Sequence, residues 1–167
     1  MFATFGRLCL KGMPLMLLFV PSDDGVFAQG MITFDARNNW IGTDYTESGM
    51  AFRLIIPQGA SRDYMGITYG ADNTPRNGTP FMGWFRQFNP YNYVSLSLTD
   101  GSLFGLTSVD LADPISPSLS PVTISFIGYL TGGTTVTNTF TTPGNGATTF
   151  ANYQFNPDFT LSLIHIS

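Results

Sequence analysis

Charge is scarce in this sequence: Asp, Glu, Lys and Arg make up 11% of 167 residues, against about a quarter in an ordinary soluble domain. Cysteine, lysine, histidine and glutamate occur once each, as Cys9, Lys11, His165 and Glu47. A single cysteine excludes an intramolecular disulfide framework and a zinc site built from several thiolates. Nucleophilic catalysis of the Ser-His or Cys-His kind needs a histidine beside the nucleophile, and only His165 is available. No glycine-rich phosphate loop of the required form occurs. The formal net charge is −4. Phosphate neutralisation needs a basic face, and a nearly lysine-free acidic chain is a poor nucleic-acid binder, so nucleic acid is not an expected partner.

The two ends read differently from the middle. Residues 1–28 have the layout of a signal peptide. Arg7 and Lys11 make a basic n-region and residues 13–20 (MPLMLLFV) an apolar h-region. That run is too short to cross a bilayer as an anchor. Val26-Phe27-Ala28 offers a small-residue cleavage site, placing the mature start near Gln29. Pro14 and the acidic pair Asp23 and Asp24 depart from the pattern, and a buried segment of the domain is the alternative reading. Without the leader, five Arg and nine acidic residues remain, 5 − 9 = −4, and no transmembrane helix is expected in the mature part. Residues 161–167 (LSLIHIS) match one reading frame of a transposase-type sequencing adapter. They are expected to be adapter-derived, although their alternation also suits a terminal strand. This leaves residues 29–160 as a single domain, long enough to bury a core without disulfides.

Within that span the pattern is short apolar runs punctuated by Gly, Pro, Asn and Asp, with no heptads. Strands are expected over 31–35, 49–56, 64–69, 81–88, 93–99, 105–111, 122–130, 134–140 and 148–155. The clearest are 93–99, with Val94, Leu96 and Leu98 on one face, and 122–130, with Val122, Ile124 and Phe126 inward. Loops are expected over 58–63, 71–80 and 113–121. Turns are expected at 89–92, 131–133 and 143–146, with a hairpin-like turn at Asp100-Gly101. Nine or ten short strands with one wet face point to an all-β, antiparallel, two-sheet sandwich.

Carboxylates and aromatics are the side chains left for function. A glycosidase needs two carboxylates flanking the scissile bond. Glu47 could serve with Asp35, Asp44, Asp110 or Asp113, but no spacing singles out a pair. Asp35, Asp44 and Glu47 lie close enough in sequence to form a candidate structural calcium site, because hard cations take carboxylate and carbonyl oxygens. Trp40, Tyr45, Trp84, Tyr91 and Tyr93 could each stack on the apolar face of a sugar ring, with Arg62, Arg76 and Arg86 hydrogen-bonding its edge.

Four stretches carry a family resemblance: ITFD with DYTESGMAF, GTPFMGW, YVSLSLTDGSLFGLTSVDLAD and PVTISFIGYLTGGTTVTNTFTT. In that order the chain resembles the PEP-CTERM-associated exported bacterial surface proteins, without their C-terminal sorting tail. The resemblance implies a jelly-roll or galactose-binding-like sandwich, secreted or held at the cell surface, and it brings no catalytic residues. The functional expectation is a non-enzymatic domain that binds extracellular polysaccharide in adhesion or matrix assembly. The ligand-binding candidates are Trp40, Tyr45, Trp84, Tyr91 and Arg86. The alternatives are a structural envelope component without a small ligand and a carboxylate-dependent polysaccharide hydrolase.

Overall fold

The computed structural model describes residues 6–11, 15–19, 28–34, 40–56, 64–68, 80–86, 93–112, 121–142, 150–156, 159–161 and 163–166. Every regular element among them is a strand. In chain order these are β1 (Gly6–Lys11), β2 (Leu15–Phe19), β3 (Ala28–Ile32), β4 (Trp40–Gly42), β5 (Asp44–Glu47), β6 (Met50–Ile55), β7 (Tyr64–Thr68) and β8 (Phe81–Arg86). There follow β9 (Tyr93–Leu98), β10 (Phe104–Leu106), β11 (Ser108–Ala112), β12 (Thr123–Tyr129), β13 (Thr135–Thr141), β14 (Ala151–Gln154), β15 (Thr160–Leu161) and β16 (Leu163–Ile166). Among the described residues no helix is long and apolar enough to cross a membrane.

The strands form a sandwich of antiparallel sheets. Sheet A has the order β14-β11-β1-β8-β7-β4, sheet B β15-β10-β2-β3 and sheet C β13-β12-β16-β9-β6-β5. The all-β, antiparallel sandwich expectation holds, with the described strands hydrogen-bonded into three sheets. The run 105–111 is broken at Thr107 into β10 and β11, which lie in different sheets. Their partners divide in the same way: β11 pairs β1 while β10 pairs β2. One antiparallel pair is thus cut in two, and each half joins its own ladder.

Alternation places the core. The inward residues of β6 and β9 are Met50, Phe52 and Leu54 with Val94, Leu96 and Leu98, and all are buried. They join Ile124 and Phe126 of β12, Met65, Ile67, Met82, Val109 and Leu111 of sheet A, and Ile32, Phe104 and Leu106 of sheet B in one cluster. Each of the large side chains contributes about 1.5–3 kcal/mol on burial.

Two aromatic groups anchor its ends. Phe34, Tyr45 and Phe52 meet with ring centroids 5.6 to 6.1 Å apart. Phe126, Phe140, Phe155 and Phe159 form the other, linked at 5.7, 5.0, 5.2 and 4.8 Å.

Turn chemistry fixes the two hairpins of sheet C. Ser48 and Gly49 both have positive φ, 50° and 78°, the signature of a two-residue type I′ turn. They set Glu47 opposite Met50 and therefore Asp44 opposite Arg53. Thr131, Gly132 and Gly133 close the β12–β13 hairpin as expected. The Leu130 N–H donates to Thr134 O at 2.8 Å, and the Gly133 N–H to Leu130 O at 3.1 Å.

Asp100-Gly101 departs from expectation. It does form a turn, with Gly101 N–H donating to Leu98 O at 3.1 Å. But β9 pairs β6 and β16 while β10 pairs β2 and β15, so the turn carries the chain from sheet C to sheet B and makes no hairpin.

The terminal segments occupy internal ladder positions. β1 lies between β11 and β8, and β2 between β10 and β3. Cleavage after Ala28 would remove β1 from the interior of sheet A and β2 from the interior of sheet B, and no strand of sheet C. β16, from the LSLIHIS string, lies between β12 and β9. The expected loop at 58–63 and the turns at 89–92 and 143–146 fall outside the described residues, as do all but the last residue of the expected loops at 71–80 and 113–121.

Candidate functional site

Strand β5 sorts the sequence candidates by face. Asp44 and Thr46 are exposed, Tyr45 is buried and Glu47 is half-buried. Successive strand residues point to opposite faces, so Tyr45 and Glu47 turn inward and Asp44 turns outward.

The Tyr45 hydroxyl donates to Glu47 Oε2 at 2.6 Å. Glu47 Oε1 accepts from the Thr33 N–H at 3.0 Å, the Thr33 hydroxyl at 3.2 Å and the Phe34 N–H at 3.1 Å. One carboxylate therefore clasps the end of the chain leaving β3 to the β5–β6 hairpin. Phe34 itself has φ 59°, a left-handed conformation that costs a non-glycine residue about 1–3 kcal/mol. The bond from its N–H to a charged acceptor offsets that cost.

Two expectations change here. Tyr45 is 5% exposed and packed among Phe34 and Phe52, so its ring is core and offers no stacking platform. Asp44 and Glu47 stand on opposite faces of β5 and cannot share one calcium ion, and both Glu47 oxygens already serve as acceptors. Asp35 falls outside the described residues. Among the described residues no three acidic, histidine or cysteine side chains are grouped for a metal.

The remaining candidates are placed by backbone register. Trp40 stands opposite Ile67, and Trp84 opposite Met65. Both partners belong to the core. Arg86 stands opposite Gly6 at the end of β8. Tyr91, Arg62 and Arg76 fall outside the described residues. Asp110 is buried in β11 and accepts from Asn152 Nδ2 at 2.6 Å, across the register pair Asp110–Asn152.

A grouping that sequence reasoning did not assemble, although it named Asp44, Tyr45 and Tyr93 singly, lies on the outer face of sheet C. A shallow depression of about 430 Å³ is lined by Asp44, Thr46, Arg53, Tyr93, Ser95 and Ser97, among others. All six are the outward residues of β5, β6 and β9. The register rows Asp44–Arg53–Ser95 and Thr46–Ala51–Ser97 cross its floor, with Tyr93 at one end opposite Ile55.

Arg53 Nε donates to Asp44 Oδ1 at 2.6 Å, and the Thr43 hydroxyl donates to Asp44 Oδ2 at 2.9 Å. These bonds, first from Arg53 and then from Thr43, hold the Asp44 carboxyl below the usual carboxylate range. The pair is well exposed, 68% for Arg53 and 59% for Asp44. It therefore keeps unused donors and acceptors toward solvent. The depression offers a tyrosine, three hydroxyls, a planar cation and a carboxylate on a rigid sheet.

No family model, no curated protein and no solved structure matches this chain.

Proposed function

We propose that this chain is a non-enzymatic, exported β-sandwich domain that holds extracellular polysaccharide on the outer face of sheet C, in adhesion or matrix assembly. The observation that carries this reading is the depression over β5, β6 and β9. Its volume of about 430 Å³ falls in the range of small-ligand sites, which span about 300–1,000 Å³. Its chemistry suits a sugar ring. Tyr93 supplies an aromatic side chain beside Ile55. Arg53 and Asp44 supply an oriented donor and acceptor, and Thr46, Ser95 and Ser97 supply hydroxyls. A shallow site on a sheet admits a segment of a long polymer, whose ends need not enter.

Glu47 supports the non-enzymatic part of the reading. The hydrolase alternative relied on it, and its two oxygens accept four hydrogen bonds that tie the fold together. The export and surface parts rest on the leader pattern and on the resemblance to PEP-CTERM-associated proteins. The all-β antiparallel architecture supports a jelly-roll or galactose-binding-like reading, which itself rests on that resemblance.

The test is retention of the purified full chain on a panel of soluble and immobilised polysaccharides, compared with Arg53→Ala and Tyr93→Ala. Loss of at least tenfold in affinity, with unchanged circular dichroism, is expected for each variant. Folded wild-type protein that binds none of the panel would instead favour a structural envelope component. Release of reducing ends that is abolished by Glu47→Gln would establish the hydrolase.

A further inference from the structure

We infer that the outer edge of β13 is a self-association surface, where two copies of the chain pair antiparallel and extend sheet C across a two-fold axis. The argument begins with hydrogen-bond phase. In an antiparallel pair, residues alternate between exchanging both backbone bonds with the partner and pointing both groups away. Leu130 N–H donates to Thr134 O at 2.8 Å, and Thr142 N–H to Val122 O at 2.9 Å. The seven-residue register from Thr123–Thr141 to Tyr129–Thr135 runs without a bulge between them. Val136, Asn138 and Phe140 therefore bond β12. Thr135, Thr137, Thr139 and Thr141 direct their N–H and C=O groups away from it. β13 is the last strand of sheet C, and no described strand lies beyond it.

Edges of this kind are normally blunted by charge, proline or a bulge. β13 (TVTNTFT) has none of these. The opposite edge, β5, contains Asp44 and Glu47. The difference matters at a two-fold axis, where each strand meets its own sequence. Charges on β5 would face their own kind, whereas the threonines of β13 meet threonines. Such pairs already occur within the hairpin, with Thr123 and Thr141 hydroxyls at 3.3 Å and Ser125 and Thr139 hydroxyls at 3.3 Å.

The register also follows. The Thr141 carbonyl is occupied by the Tyr153 hydroxyl at 3.0 Å. A two-fold through Thr137 sets Thr137 against itself and Thr135 against Thr139 of the second copy, and it uses only backbone groups that are unengaged among the described residues. A two-fold through Asn138 would instead require Thr141. Isologous pairing of this kind closes at two copies.

Sedimentation and amide hydrogen exchange of the full chain test the proposal, with Thr137→Pro and Thr137→Lys as variants. Proline at 137 removes a donor that faces the second copy while leaving the β12 ladder intact. The expected result is a concentration-dependent mass of two chains, with Thr137 and Thr139 amides protected in the dimer and exposed on dilution. The Val136 and Asn138 amides stay protected throughout. Both variants are expected to be monomers. If Thr137→Pro does not fold, Thr137→Lys decides. A wild-type monomer at millimolar concentration would overturn the inference. So would fast exchange of Thr137 in an associated state, association that survives Thr137→Lys, or open-ended filaments in place of dimers.

Discussion

The two edge hairpins of sheet C are alike in topology and opposite in how they are held. β5–β6 turns through two residues, Ser48 and Gly49, and β12–β13 through three, Thr131 to Gly133. The outer face of the first carries an ion pair, Asp44 with Arg53, and that of the second carries threonine and serine hydroxyls. Inward, β5 presents Tyr45 and Glu47, tied by four hydrogen bonds to one another and to Thr33 and Phe34. β13 presents Asn138, whose Oδ1 accepts from the Asn156 N–H at 3.2 Å while its buried Nδ2 has no partner among the described residues. An unsatisfied buried donor costs about 1–3 kcal/mol. One edge strand therefore carries charge and a satisfied polar clasp on its inner face, and the other is uncharged with no strand beyond it among the described residues. Both strands end their sheet, so position does not distinguish them and side-chain chemistry does.

Core truncation should strike both hairpins hardest and about equally. Phe52→Ala and Phe126→Ala each remove a ring that is 1% exposed, and each is expected to cost about 3–5 kcal/mol in urea unfolding. A difference of more than about 2 kcal/mol between them, against that same range, would break the equivalence of the two ends of the core.

Next comes the clasp. Glu47→Ala strands the Thr33 and Phe34 amides and the Tyr45 hydroxyl, and should cost about 2–4 kcal/mol. Thr139→Ala on the other hairpin removes one exposed hydroxyl contact and should cost under about 0.5 kcal/mol. Equal losses for the two variants would show that Glu47 holds nothing that the hydroxyl face lacks.

The smallest effect is electrostatic. The folded carboxyl of Asp44 lies below its ordinary value, chiefly through Arg53. Its contribution is therefore fully present above the unfolded value of about 3.9 and is lost as pH falls through the lower folded value. Because both side chains are exposed, the gain is within about 1 kcal/mol and screened by salt. Asp44→Asn should flatten the acid limb of the stability profile slightly at low ionic strength. A change at neutral pH that persists in high salt would point to some other role for Asp44.

Much of the fold was legible because period-two alternation is written residue by residue. Tyr93 to Leu98 and Thr123 to Tyr129 have the faces their sequences declare. Arg53 was also within reach. Ser48-Gly49 is a turn dipeptide, a two-residue loop sets 47 against 50, and 44 then stands against 53. Reading residues 49–56 as an isolated strand hid that neighbour and with it the outer-face depression. Tyr45 was misread for a related reason. It was named as a stacking face for its ring alone, yet alternation from Asp44 already placed it on the inner face. The break at Thr107 has no comparable local signal, since Gly105 to Leu111 is continuous in character and is divided by which strands it pairs with.

The amino-acid sequence by itself determined the element type, the inward and outward faces of the well-patterned strands, the turns at 48–49 and 131–133, and the scarcity of reactive groups. These depend on neighbours along the chain, through steric limits on φ and the two-residue repeat of the strand. Only the tertiary structure decided that Glu47 would meet Thr33 and Phe34, that Ser95 would flank Arg53, and that β13 would end its sheet. Each of those depends on which distant strands lie side by side, a choice made by the burial of the whole core.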